Sequence, residues 1–247
     1  MSDKVNRQRN LVIKNTLVLY VRMFITMGVS LYTSRLVLNA LGVVDFGIYN
    51  VVGGVVGMFG FLNVAMASST QRFLNYELGK GNISQLNKVF NASVTIHIII
   101  AIFILLLAET IGLWFLNNRL EIPDDKINAA NWVFQFSVLS SMISLIQVPL
   151  LATIIAYERM KVYAYISIVE AILKLLMALI LTWVLWEKLK TYAILMCSVA
   201  FIILSIYSIY CNRRISICKF YLVKDMTIYK ELTGFTGWNI FGGIVNI

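Results

Sequence analysis

Apolar runs of about 20 residues, broken by short polar segments, fill the chain from Leu11 onward. An α-helix of that length spans the hydrocarbon core of a bilayer, which is about 30 Å thick. The pattern therefore predicts an all-α integral membrane protein with six transmembrane helices and the start of a seventh. The six helices cover residues 11–38, 48–73, 89–116, 129–157, 162–186 and 191–211, and the seventh starts at residue 232.

The polar segments divide the chain into four predicted parts. A polar N-terminus (1–10) precedes the six-helix region (11–211), and a basic linker (212–231) leads to the apolar segment 232–247. Because the sequence stops inside that segment, we expect it to be a truncated seventh helix, followed by further helices in the whole protein.

Composition supports a membrane protein and excludes a soluble domain. Hydrophobic residues make up 60% of the chain and charged residues 13%, whereas soluble domains are about half apolar and a quarter charged. Mean hydropathy is +0.81. The net charge of +9 is spread over the gaps between apolar runs, so nucleic acid is not an expected partner.

The basic residues predict the orientation. Of the 21 lysines and arginines, 14 fall in the N-terminus and in alternate gaps that would share its side of the membrane, and five fall on the other side. By the positive-inside rule the N-terminus is cytoplasmic.

No pattern typical of an enzyme or a metal site occurs. There is no Gly-rich phosphate loop and no H-E-x-x-H. Cys197, Cys211 and Cys218 have no C-x-x-C spacing, so we interpret them as reduced structural residues and expect no cofactor. Ser140, Ser141 and Ser144 lie within a span, where hydrogen bonding between helices is the default interpretation.

Two basic residues, Arg22 and Lys174, lie deep inside apolar runs, where a charge costs about 2.5–3.5 kcal/mol on insertion scales. Helical spacing places Arg22 in a polar arc that we expect to face the bundle interior or a water-filled cavity. That arc comprises Asn15, Arg22, Thr26, Ser30 and Thr33. Arg35 points elsewhere, and snorkelling to the headgroups explains it at least as well as a binding role.

Lys174 shares a helix face with Tyr163, Ser167 and Glu170. Glu170 precedes Lys174 by four residues, the favoured order for an ion pair within a helix. Two interpretations stay open: Glu170 only neutralises Lys174 in the membrane, or it tunes Lys174 as a cation in a cavity.

Helix two carries Asn50 on an arc with several small residues, and Gly53 and Gly57 form a G-x-x-x-G step. That step predicts close helix packing. In helix three, Glu109 is a candidate for proton coupling, and His97 is a weaker one, because ionisable residues inside a membrane are functional candidates by default.

The junction of helices one and two carries a family resemblance. Residues 41–49 read LGVVDFGIY, which resembles the L-G-x-x-D-F-G-x-Y stretch of Wzx-type polysaccharide flippases. A short insertion separates this core from the upstream Arg35. Residues 156–164, AYERMKVYA, are similar to the loop that enters helix five in the same transporters. Their superfamily also contains the multidrug and toxin extrusion (MATE) transporters.

The resemblance implies the N-terminal lobe of a two-lobed, MATE-like transporter in the bacterial inner membrane. The implied partner and substrate is an undecaprenyl-diphosphate-linked oligosaccharide, moved between leaflets, with membrane lipids around the protein and a C-terminal half completing it. A diphosphate requires cations in a cavity. The expected substrate-binding residues are Arg22, Thr26, Arg35, Asn50, Glu170 and Lys174, with Glu109 as the possible coupling residue. A multidrug or cation antiporter, or an inactive membrane fragment or partner subunit, stays open as an alternative.

Overall fold

Long α-helices make up the computed structural model, which describes residues 2–58 and 60–245 and the side chains of residues 13–58, 60 and 63–238. In chain order they are α1 (Ser2–Gly57), α2 (Gly60–Lys80), α3 (Ile83–Leu107), α4 (Leu113–Arg119), α5 (Ile127–Ala156), α6 (Met160–Trp183), α7 (Lys188–Arg214) and α8 (Met226–Val245). A π-helical turn, Ala108–Gly112, joins α3 to α4.

Five helical stretches of the described chain are long and apolar enough to cross a membrane: Ile13–Gly57, Ile83–Arg119, Asp124–Ala156, Met160–Trp183 and Lys188–Arg214. The predicted all-α membrane fold is confirmed. The 45 residues of the first stretch would measure about 68 Å as a straight helix, twice the thickness of a hydrocarbon core. That stretch contains the first predicted span from residue 13 onward and residues 48–57, the start of the second predicted span.

Gly42 divides α1 between the first predicted span and the start of the second. Its backbone, at φ 77° and ψ 170°, leaves the helix where the sequence predicted a turn. This region of backbone space is essentially open to glycine alone. Just beyond the bend, Asp45 forms a 2.8 Å ion pair with Lys126, which precedes α5. The bend and this ion pair fix the direction in which α1 continues.

The second predicted helix, 48–73, differs from the structure, in which α1 ends at Gly57 and α2 begins at Gly60. Apolar residues continue across this change of helix, so hydropathy does not reveal it. The predicted starts of two further helices, at residues 89 and 232, are also later than the observed starts at Ile83 and Met226. Asn82 caps α3 by accepting a hydrogen bond from Gln85 N at 3.1 Å, and Asp225 accepts one from Thr227 N at the start of α8. Both helices therefore start before their apolar runs.

Two hydrophobic clusters form the core, one towards each end of the bundle. The first contains Leu74, Phe90 and Tyr207, and the second contains Val52 and Phe134. Along α5 and α6 the two clusters occupy successive segments, and polar residues lie where one gives way to the other. We call the end of the bundle that holds loops 157–159 and 215–225 the basic end.

At the basic end, Asn91 fastens the linker between α7 and α8 to α3. Its side chain is fully buried, donates to Lys219 O at 3.2 Å and accepts from Tyr221 N at 2.9 Å. Lys88 lies 3.9 Å from Asp225. These contacts hold the linker against the helices.

Gly42→Ala tests the bend. A Cβ at Gly42 meets no described atom within 4 Å, so the cost is backbone strain alone, about 1–3 kcal/mol. We expect a lower midpoint of thermal unfolding for the detergent-purified protein. Gly47→Ala is the matched control, because Gly47 is helical and equally uncrowded, and it should be neutral or stabilising. Equal midpoints for the two variants would contradict a strained Gly42.

Asn91→Leu tests the linker attachment. Losing two hydrogen bonds to the linker backbone should cost about 1–2 kcal/mol locally and raise the open population about 5–30-fold. Trypsin should then cleave faster after Lys219, as measured by the rate at which the intact chain disappears. Asn118→Leu is the control, since the Asn118 side chain is exposed and bonds only to its own helix. Unchanged cleavage in Asn91→Leu would show that other contacts hold the linker.

Candidate functional site

Arg22 reaches from α1 to the polar face of α6. Its Nη1 donates to Ser167 Oγ at 3.4 Å, and its Cζ lies 4.5 Å from the ring centroid of Tyr163. Its Nε is buried and has no hydrogen-bond partner among the described residues. The four ion pairs among the described residues all involve lysines, and none involves Arg22. The positive charge of Arg22 therefore meets a hydroxyl and an aromatic face instead of a carboxylate.

Glu170 and Lys174 form the ion pair that the sequence predicted. Lys174 Nζ donates to Glu170 Oε1 at 2.7 Å along α6. The side chain of Lys174 is 40% exposed and that of Glu170 is 35% exposed, so both remain accessible despite the ion pair. Since the charges are opposite, the pair adds no net charge to its surroundings.

A cavity of about 300 Å³, here called the Arg22 cavity, opens between α1, α5, α6 and α7. Its lining is polar at most positions. The lining residues are Arg22, Thr26, Ser30, Gln147, Leu151, Tyr163, Ser167, Glu170, Ala171, Lys174 and Tyr207.

A second cavity of about 330 Å³, here called the serine cavity, lies beside it. One wall is a polar stripe along α5, spaced at helical period so that its members share a face. The stripe comprises Ser137, Ser140, Ser141, Ser144 and Gln147. The facing wall contains Gly53, Gly57, Gly60 and Asn63.

Three side chains, Gln147, Glu170 and Lys174, line both cavities. Ser141 lies midway along α5, and Ala171 lies midway along α6. The two cavities therefore form one composite polar site at the middle of the membrane-spanning helices, the depth at which transporters of inverted-repeat architecture hold their substrates.

The structure brings together four of the predicted substrate-binding residues: Arg22, Thr26, Glu170 and Lys174. Arg35 and Asn50 are exposed and line neither cavity. Asn50 donates to Phe46 O within its own helix.

The two ionisable residues of helix three also lie apart from the cavities. Glu109 is in the π-helical turn and accepts from Gln135 Nε2 at 3.2 Å. His97 is buried, with Nδ1 2.6 Å from Ser93 O. A coupling role for Glu109 stays a prediction.

The close helix packing predicted from the G-x-x-x-G step of helix two is not seen among the described residues. A Cβ built on Gly53, Gly54 or Gly57 meets no described atom within 4 Å, so the described part of the chain makes no close helix contact at these glycines. Gly53 and Gly57 instead line the serine cavity. Close approach occurs at Gly112, where a Cβ would lie 2.6 Å from the Phe134 ring.

Sequence reasoning missed the serine stripe as part of the site. Ser140 and Ser144 bond to the backbone carbonyls of Phe136 and Ser140 on their own helix, so the predicted bonding between helices is not seen for them. The signal was present in the helical spacing that runs on to Gln147. Gln147 and Tyr207 were missed because each is a single polar group in an apolar run.

The motif at residues 41–49 positions this site from one side. Gly42 supplies the bend and Asp45 the ion pair with Lys126. Tyr49 packs edge-on against Tyr192 of α7, with ring centroids 4.5 Å apart, and also lines the serine cavity. The motif thus aligns the second half of α1 beside α7.

A bundle of membrane-spanning helices with a polar, charged site at mid-depth defines a multi-pass membrane transporter as the class of protein. The model of the MatE family matches residues 19–180, about two thirds of the chain, from within α1 to near the end of α6. The chain belongs to the MatE family, whose members are transporters and not enzymes. No curated protein and no solved structure matches the chain.

A double-mutant cycle on Glu170 and Lys174 tests whether their ion pair stabilises the folded protein. Lys174→Gln and Glu170→Gln should each lower the thermal midpoint, and the double variant should lose less than the sum of the two. Because both side chains are more than a third exposed, we expect a coupling of about 0.5–1 kcal/mol.

The same cycle on Glu187 and Lys190, a 2.7 Å pair at the start of α7, serves as the comparison. Its coupling should be smaller, since the exposed Glu187 is in contact with water. Strict additivity at Glu170 and Lys174 would contradict the ion pair.

Proposed function

We propose that the protein carries a lipid-linked oligosaccharide across the membrane and that Arg22 binds its diphosphate. The observation that carries this proposal is the charge of the Arg22 cavity. The Glu170–Lys174 pair is neutral as a unit, and Arg22 is paired with no carboxylate among the described residues. The lining therefore has a net positive charge and favours an anion.

The donors available at Arg22 suit a phosphate. A guanidinium presents five N–H groups in a planar fork, and Nε of Arg22 has no described partner. The contact to Ser167 is long, at 3.4 Å, so a phosphate oxygen would replace a weak hydrogen bond with stronger ones. Binding an anion here also offsets the cost of holding a charge inside the membrane.

Depth in the bundle supports transport by alternating access. A site midway along α5 and α6 is equally far from both membrane surfaces, as alternating access requires. The lipid tail of the substrate would stay in the bilayer while its head group occupies the cavities.

The proposed location is the bacterial inner membrane with the N-terminus in the cytoplasm. The excess of basic residues at the basic end supports that orientation through the positive-inside rule. In this arrangement the 212–231 linker is cytoplasmic, and a second lobe contributed by the rest of the transporter would face the cavities.

A multidrug or cation antiporter is the second candidate, and Glu170 favours it. Glu170 is a carboxylate that lines both cavities, and an antiporter needs such a group to bind its cation. In the structure Lys174 already neutralises Glu170 at 2.7 Å, which favours the anionic substrate.

Arg22→Ala tests the proposal in a strain deleted for the gene. Losing charge-assisted hydrogen bonds of about 1.5–3 kcal/mol should weaken diphosphate binding about 10–100-fold. We expect the wild-type gene to restore surface polysaccharide and Arg22→Ala to leave lipid-linked precursor accumulating. Arg119→Ala is the matched control, because Arg119 is an exposed arginine at the end of α4, outside both cavities.

Both variant proteins must be present in the membrane at the wild-type amount. Full surface polysaccharide with Arg22→Ala would overturn the role of Arg22. Unchanged polysaccharide in the deletion strain, together with a loss of drug resistance that Glu170→Gln fails to restore, would favour the antiporter instead.

A further inference from the structure

The serine cavity has the chemistry of a carbohydrate-binding site. Four serine hydroxyls and the Gln147 amide lie along one face of α5, and the Asn63 amide stands on the facing wall. Hydroxyls and amides both donate and accept hydrogen bonds, which matches the mixed donors and acceptors of a sugar. The remaining lining is largely apolar, as expected of a pocket that surrounds a ligand.

Hydrogen-bonding capacity in this cavity is left over after the protein's own contacts. Oδ1 of Asn63 is buried and has no hydrogen-bond partner among the described residues. Ser140 and Ser144 use their hydroxyl protons on their own helix, so the oxygen lone pairs remain free to accept. An unpaired buried acceptor is costly unless a ligand or water satisfies it.

Aromatic rings complete the lining. Tyr49 and Phe136 both face the serine cavity. Each ring is held by a second aromatic residue, Tyr49 by Tyr192 and Phe136 by Trp132 at 5.6 Å between centroids. A rigid ring face is a surface on which the C–H face of a pyranose packs.

We infer that the serine cavity binds the sugar residues nearest the diphosphate, while the Arg22 cavity binds the diphosphate itself. This inference rests on the proposed function. Gln147 and the Glu170–Lys174 pair line both cavities, so a sugar attached directly to the phosphate passes from one cavity to the other along these side chains. The glycines opposite the serine stripe leave the width that the sugar needs.

Gly53→Leu and Gly54→Leu form a matched pair that tests the assignment. Neither glycine has a described atom within 4 Å of an added Cβ, and both are helical, so both variants should fold. Gly53 lines the serine cavity and Gly54 lines neither cavity. A leucine at 53 fills the sugar space, whereas a leucine at 54 adds the same side chain on another side of the helix.

The probes are undecaprenyl diphosphate, which has no sugar, and the glycolipid fraction that accumulates in the deletion strain. Binding of each to the purified full-length protein is measured in nanodiscs. Gly53→Leu should weaken glycolipid binding by about tenfold or more and leave undecaprenyl diphosphate binding unchanged, because each 1.4 kcal/mol of lost contact is a factor of ten. Gly54→Leu should change neither affinity, and Arg22→Ala should weaken both.

The possible outcomes separate the two proposals. Unchanged glycolipid binding in Gly53→Leu, with both lipids weakened by Arg22→Ala, would overturn the sugar site and leave the proposed function standing. Failure of the wild-type protein to bind either lipid would overturn the proposed function. An equal loss of both lipids in Gly53→Leu would overturn the division of the site into two parts.

Removing hydroxyls without adding volume gives a second, independent measurement. The Ser141→Ala, Ser144→Ala double variant should lower glycolipid affinity severalfold and spare undecaprenyl diphosphate. A rise in thermal midpoint with sodium chloride but not with choline chloride, abolished in this variant, would identify a sodium site and overturn the sugar assignment.

Discussion

The cost of polar groups inside a membrane is the constraint on which the rest of this structure depends. A buried amide or hydroxyl without a partner costs several kcal/mol in an apolar medium, and an isolated charge costs more. The chain meets this cost by collecting its polar residues where the two hydrophobic clusters meet, along the middle of α5 and α6. Lys174 is neutralised within its own helix, and serine hydroxyls bond to the preceding turn. Two of the buried polar atoms that have no hydrogen-bond partner among the described residues, Arg22 Nε and Asn63 Oδ1, belong to residues that line the cavities.

Hydropathy and helical spacing predicted the parts of the fold that follow from local sequence. The membrane class, the break near Gly42 and the Glu170–Lys174 pair all depend on residues within a few positions of one another. The shared face of Arg22 and Thr26 followed from the same spacing. The contact of Arg22 with Ser167 did not, because it joins residues 145 positions apart.

Other features cannot be predicted from the sequence because they depend on how distant segments pack together. Glycines at G-x-x-x-G spacing fit either a close helix contact or a cavity wall, and only the position of the neighbouring helices decides between them. Asn91 lies at the start of the third predicted helix, and nothing in that position indicates that it holds the linker through backbone atoms of Lys219 and Tyr221. Hydrogen bonds to a distant backbone leave no side-chain pattern in the sequence.

The contacts around the site differ in how they would respond to helix movement. Glu170 and Lys174 belong to one helix, so their ion pair moves with α6 as a unit. Arg22 reaches Tyr163 and Ser167 across two helices, through one long hydrogen bond and one aromatic face. At the basic end, Arg159 binds Tyr210 and the backbone of Arg214, which joins the start of α6 firmly to α7. A displacement of α1 against α6 therefore changes the surroundings of Arg22 and leaves the Glu170–Lys174 ion pair intact. An anion that binds more tightly in one position of α1 increases the population of that position.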